Sequence, residues 1–225
     1  MFHFLLGHDT RDNWNYSRSL LFASAIPRDH TGLRAAYKAS DRLVVTGFLV
    51  NGWNNVRDNN GAKSAGLSVS GKPASDLTVT GTYIGGPETT DDNSGARHLF
   101  DTVVSYNVNE RTELGANYDV GRDQHTQQLW QGAAVYLRYR VRGWLAAATR
   151  LELVSDLDGF MTGVSQRVGE FTLTAEIKYS IAVMRVEYRN DITQQPFFLK
   201  NTSETVSTQP VLTLGWILAL GSRTP

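Results

Sequence analysis

Glu113, Asn117, Asp119, Arg138, Arg140, Arg150, Glu152, Glu176, Lys178, Arg185, Glu187 and Arg189 share an alternating spacing, two residues apart within short runs, with apolar residues between them. Residues two apart lie on one face of a β-strand, so these side chains would collect on one face of neighbouring strands as a mixed-charge stripe. Such a stripe sets ion preference when it lines a water-filled pore. Six of the twelve are basic and five acidic, which implies a weak anion preference. The same residues could instead neutralise one another and simply keep an interior wet.

Other chemistry is thin. His3, His8, His30, His98 and His125 are scattered, with no pair at metal-ligand spacing, and no Gly-x-Ser-x-Gly elbow frames a nucleophile. The acidic stretch Thr89 to Gly95 has calcium-like composition but not the spacing of a calcium loop, and a flexible polar loop explains it better. No catalytic residue, metal site or cofactor is expected. The chain has no cysteine, which removes disulfides and suits an oxidising envelope. Its net charge is zero, against the basic surplus that nucleic acid requires.

The elements that must position the stripe are strands joined by alternating connections. Short ones fall at Ala39 to Arg42, Lys72 to Asp76, Val108 to Glu110, Arg140 to Gly143 and Ser180 to Ala182. Long ones run from Gly52 to Asn60, Gly86 to Ala96, Gly121 to Leu129, Ser155 to Val168 and Ile192 to Thr205. Strict alternation is what antiparallel neighbours give when one rim faces the cell exterior and the other the periplasm. Twelve strands are predicted, near residues 16–26, 31–39, 42–51, 61–71, 76–85, 97–107, 111–120, 129–140, 143–154, 168–180, 182–191 and 207–219. The fold class is therefore all-β, a transmembrane antiparallel up-and-down barrel, with residues 1–225 as a single barrel domain. No window of about 18 apolar residues offers a spanning helix.

Face parity separates lipid from water. The outward sets, such as Leu145, Ala147, Thr149, Leu151 and Leu153, contain no charge, and a Lys or Arg there would cost roughly 2 to 4 kcal/mol at the bilayer midplane. A soluble sandwich would alternate in the same way with its apolar face turned inward. Tyrosine decides between them. Tyr37, Tyr106, Tyr139 and Tyr179 sit on the apolar face just before short turns, and Tyr83, Tyr118 and Tyr188 on the same face before long loops. Two rings about 25 Å apart are what two membrane interfaces select.

Several runs carry a family resemblance: Asn13 to Phe22 with Ala25-Ile26-Pro27 and His30-Thr31-Gly32; Val50 to Asn55; Tyr83 to Glu88; Arg185 to Asp191; and Pro196-Phe197-Phe198. Together, from about residue 13 to 220, they resemble the OmpL-like β-barrel porin family of bacterial outer membranes. The resemblance implies a pore-forming barrel in the outer membrane and brings no substrate or catalytic residues. Members begin with a signal peptide and several more strands, so this chain is expected to be a C-terminal portion. Met1 to Gly7 is apolar but lacks a basic n-region and cleavage site, and the final run ends in Leu220 and Gly-Ser-Arg-Thr-Pro, without the usual terminal aromatic.

The expected function is passive diffusion of small hydrophilic solutes or ions through a mixed-charge lumen, with outer-membrane lipid as the surrounding partner and an oligomer possible. The alternative is a structural or adhesive barrel with a blocked lumen and partner-binding loops. An outer-membrane enzyme is a poor third, for want of an acid–base constellation. One finer expectation concerns the hairpin after Ser180. Placing Lys178 opposite Glu187 and Glu176 opposite Arg189 makes both cross-strand pairs attractive.

Overall fold

A computed structural model describes residues 13–218. Met1 to Gly7, with His3, and also His8, Leu220 and the C-terminal tail, lie outside that range. The chain runs through β1 (Gly32–Ser40), β2 (Leu43–Val50), β3 (Ser64–Ala74), β4 (Leu77–Thr89), β5 (Asp92–Asn107), β6 (Thr112–Asp123) and β7 (Leu129–Arg142). It continues with β8 (Leu145–Asp156), β9 (Gln166–Tyr179), β10 (Ala182–Thr193), β11 (Phe198–Leu199), β12 (Thr205–Val206) and β13 (Thr208–Leu218). Strands β1 to β10 pair in chain order and β13 adds beside β10, giving one eleven-stranded antiparallel sheet. The short β11–β12 hairpin stands apart in the β10–β13 connection. β1 and β13 are the two edges, and Pro210 in β13 suits an edge because it has no N–H to offer a ladder.

The sheet is inside-out relative to a soluble protein. Along β7, Trp130, Gly132, Ala134 and Tyr136 are buried, while Leu129, Ala133, Val135 and Leu137 point the other way and stay exposed. Along β9 the buried set is Gln166, Val168, Glu170, Thr172, Thr174 and Glu176, and the exposed set includes Phe171 and Leu173. Leu212 keeps 74% of its surface exposed and Val135 53%, so among the described residues no second layer covers the apolar face. An apolar outer face over a polar, charged inner face is the arrangement lipid selects.

Four expectations need correction. Residues 16–26 do not form a strand: they turn inward, with a π-helical turn at Leu21–Ala25, so the sheet has eleven strands where twelve were counted. That stretch had no clean alternation, and its apolar residues Leu21, Ala25 and Ile26 are buried inside the sheet's curve. The long loop expected from Gly86 to Ala96 is mostly ladder, since Gly86 pairs with Arg97 and Pro87 with Ala96, and the turn tightens to Thr90-Asp91 with Asp91 at a left-handed φ of 57°. The β10–β13 connection, expected as plain loop, holds the β11–β12 hairpin.

The fourth correction is register. Tyr179 pairs with Ala182, Lys178 with Val183 and Glu176 with Arg185, so Lys178–Glu187 and Glu176–Arg189 do not form. Glu187 faces Thr174 and Arg189 faces Thr172. The cause is Ser180, whose left-handed φ of 52° lets Ser180 and Ile181 close a two-residue hairpin. Turn geometry fixed the ladder, and one charge pair was met by a third arrangement.

Candidate functional site: the charged inner wall and the segment seated on it

The inner face of β6 to β10 carries two levels of charge. Near the short turns, Arg138 spans two strands, with Nη1 3.1 Å from Glu113 Oε2 and Nη2 2.8 Å from Glu176 Oε1. Arg185 Nη2 lies 2.7 Å from Glu176 Oε2 and Lys178 Nζ 3.6 Å from its Oε1, while Arg140 closes onto Glu113. Lys178 and Arg140 remain about half exposed; Glu176 and Arg185 are buried. One turn of the wall further in, Arg150 Nη2 lies 2.7 Å from Glu170 Oε2 and Arg150 Nε 3.4 Å from Glu152 Oε2. Glu152 and Glu170 face each other across the β8–β9 ladder, so the arginine between them is what makes that register tolerable.

The second level holds the chain's own N-terminal segment. Glu187 accepts the N–H of Tyr16 at 2.5 Å and of Ser17 at 2.8 Å, and the Thr174 hydroxyl at 2.8 Å. Glu152 accepts the N–H of Leu20 at 2.7 Å. Arg150 donates to the Ser17 carbonyl at 2.9 Å and Arg189 to the Arg18 carbonyl at 2.6 Å. Asn15 donates to the Thr174 hydroxyl at 2.8 Å. A segment with no ladder of its own thus has its backbone groups satisfied by side chains of the wall, as buried backbone requires. Past Leu20 the attachment turns apolar, where Leu21, Ala25 and Ile26 pack with Trp130, Ala134 and Val154, and Trp130 Nε1 donates to the Ala25 carbonyl at 2.9 Å.

The family profile described as "Putative beta-barrel porin-2, OmpL-like" matches residues 8–220. The chain belongs to the OmpL-like porin family. Among solved structures it resembles the outer membrane channel DcaP of Acinetobacter baumannii, at 9% identity and a TM-score of 0.60, over 82% of this chain and 61% of that one. The chain thus spans about three-fifths of that channel's length, and the likeness speaks for fold. No curated protein matches it. As an OmpL-like porin it is a β-barrel protein of the bacterial outer membrane.

In this OmpL-like chain the remaining predicted residues fall as follows. Asn117 and Asp119 are buried on the inner face of β6, with Asp119 directly opposite Asp101 and Asn117 Nδ2 donating to Asp101 Oδ1 at 2.8 Å. Tyr37, Tyr83, Tyr106, Tyr118, Tyr139, Tyr179 and Tyr188 are all exposed. On the long-loop side, Tyr83 and His98 Nδ1 are 2.7 Å apart and the Tyr118 hydroxyl donates to Gln131 at 2.8 Å. Near the long-loop rim, Trp53, Trp130 and Phe160 cluster, with Arg97 Cζ 5.3 Å above Trp53 and 5.0 Å above Phe160. His30, in the rim connection before β1, packs 6.2 Å from Phe48, and burial lowers its pKa below the ordinary 6.5. Sequence reasoning missed Glu170, Thr172 and Thr174, although the parity that found Glu176 reaches them. It also missed residues 15–20 as the partner of the stripe, because nothing local marks a strand-less stretch as interior.

Proposed function

We propose that the chain forms a passive outer-membrane channel for small hydrophilic solutes or ions, narrowest where residues 15–20 cross the charged wall. One observation carries this reading: ionisable residues lie on the inner face of the sheet while the outer face between the tyrosines is apolar. A wall of that kind holds water and polar solutes inside and lipid outside. Glu113, Arg138, Arg140 and Lys178 line the path on the short-turn side, and the seven tyrosines serve as the membrane-interface belt. A second reading has its own support, since the seated segment fills the interior at the level of Arg150 and Glu187. It makes the protein a blocked structural or adhesive barrel. Planar-bilayer recording of the full-length protein separates the two: stepwise ohmic currents are expected, and silence at high protein load would favour the blocked barrel.

A further inference from the structure

The seated segment shows what the inner wall recognises. Glu187 receives two consecutive N–H groups, Tyr16 at 2.5 Å and Ser17 at 2.8 Å, one on each carboxylate oxygen. Arg150 gives to two consecutive carbonyls, Ser17 at 2.9 Å and Arg18 at 3.3 Å, and Arg189 joins it on Arg18 at 2.6 Å. Glu152 then takes the Leu20 N–H at 2.7 Å. All of these are bonds to main chain, which every peptide carries whatever its side chains. The side chains of the run count for less. The Ser17 hydroxyl meets Arg150 and Arg189 at 3.3 and 3.4 Å, longer than the shortest bond each arginine makes to a carbonyl, and Tyr16 is 36% exposed. Asn15 does reach Thr174 at 2.8 Å, at the near end of the seat.

A second observation is that the wall holds this pattern through its own pairs. Arg150 is fixed by Glu170 at 2.7 Å, Arg189 by Asp191 at 2.8 Å and Glu187 by the Thr174 hydroxyl at 2.8 Å. Donor and acceptor forks are therefore preset, and preset groups lose little freedom on binding. The segment, by contrast, belongs to no ladder, and its fully buried anchors, Leu21, Ala25 and Ile26, lie beyond the seat. Residues 15–20 can lift away while those anchors stay. We propose that the seat is a peptide site: residues 15–20 occupy it as a tethered stand-in, and short oligopeptides displace them, held by main chain and nearly indifferent to sequence. Affinity from main-chain bonds is how extended peptides are taken at sheet edges, and here charged side chains supply those bonds. The inference deepens the channel reading by naming its solute class, short peptides, and rests on that reading for its transport meaning.

Acetyl-pentaalanine amide is the probe, since it carries main-chain groups and little else, titrated into the full-length protein in micelles. Its control is the same peptide N-methylated at every residue, which lacks the N–H groups that Glu187 and Glu152 take. Trp14 packs edge-on to the Tyr136 ring at 6.5 Å, so displacement of the segment changes its emission. A saturable change is expected with the first peptide, absent with the second and lost in Trp14→Phe. Ser17→Pro strips an N–H from the segment and leaves the wall whole. It should lower the half-saturating concentration of the probe about tenfold, because a weaker stand-in competes less. The two peptides on the wild type decide the matter even if that variant fails to fold. In bilayers the probe should reduce single-channel current over the same concentrations. A response that is absent, non-saturating or equal for the methylated peptide overturns the site, as does a half-saturating concentration that Ser17→Pro leaves unmoved or raises. Currents that ignore the probe while Trp14 also stays silent overturn the site and leave the channel standing. Saturable binding in a protein that carries no current supports the site and removes the channel reading.

Discussion

At the scale of single residues, the side chains that matter most are those whose partners are backbone groups. Glu187 takes two N–H groups and a hydroxyl. Glu187→Leu leaves all three without an acceptor in a buried place and is expected to lower stability by about 3 to 5 kcal/mol, with Glu187→Gln costing less because it keeps one oxygen. Urea titration of the refolded protein in micelles measures both. Gly121 is a different case, because a Cβ there would overlap the Trp130 ring. Gly121→Ala should therefore cost about 1 to 3 kcal/mol by forcing the indole off its seat, seen as a lower unfolding midpoint together with a shifted tryptophan emission. His30 gives the pH prediction. Its proton affinity is lowered in the fold by burial, so the unfolded chain binds the proton first as pH falls. The stability it contributes is present above its ordinary value of 6.5 and is lost as pH drops from there toward the lowered folded value. The thermal midpoint of the wild type should fall over that interval relative to His30→Phe, and parallel curves would sink the idea.

Among the elements, the hairpin of β9 and β10 shows what the sequence could and could not reveal. The existence of both strands followed from alternation and turn spacing, as it did for eleven sheet strands in all, and for this hairpin the parity also told which residues share a face. Register did not follow, because it hung on one residue, Ser180, adopting a left-handed conformation that a serine enters only when the turn rewards it. Ser180→Gly should be neutral or stabilising by up to about 1 kcal/mol, since glycine adopts that φ without strain, and the equilibrium midpoint checks it. Glu176 tests the ladder itself, for it sits between Arg138 and Arg185. A double-mutant cycle of Glu176→Gln with Arg185→Gln should return a coupling of about 1 to 3 kcal/mol, whereas Glu176 with Arg189 should return almost none. The opposite fate of residues 16–26 and 86–96 has one cause. Ladder formation depends on what a neighbouring strand offers, and glycine, proline and acidic residues at 86–92 read locally as a loop while their partners across the hairpin pull them into strand.

For the whole molecule, the sheet joins neighbours in chain order, but the interior seat does not. Tyr16 meets Glu187 across 171 positions of chain, and Asn15 meets Thr174 across 159. Among the described residues the strand pairs of the sheet are joined by one connection each, and besides this seat the Trp53, Trp130 and Phe160 cluster also reaches across distant parts of the chain. Contacts of such long sequence separation are entropically dear to close and come late. The hairpins of β7 to β10 must be in register for Glu187, Glu152 and Arg150 to present a seat, so docking of residues 15–20 is expected to be the closing step of assembly. In kinetic terms its contacts are expected to be absent from the barrier for forming the sheet. Loosening the seat, as Glu187→Leu does, should then speed unfolding while leaving the rate of sheet formation nearly untouched.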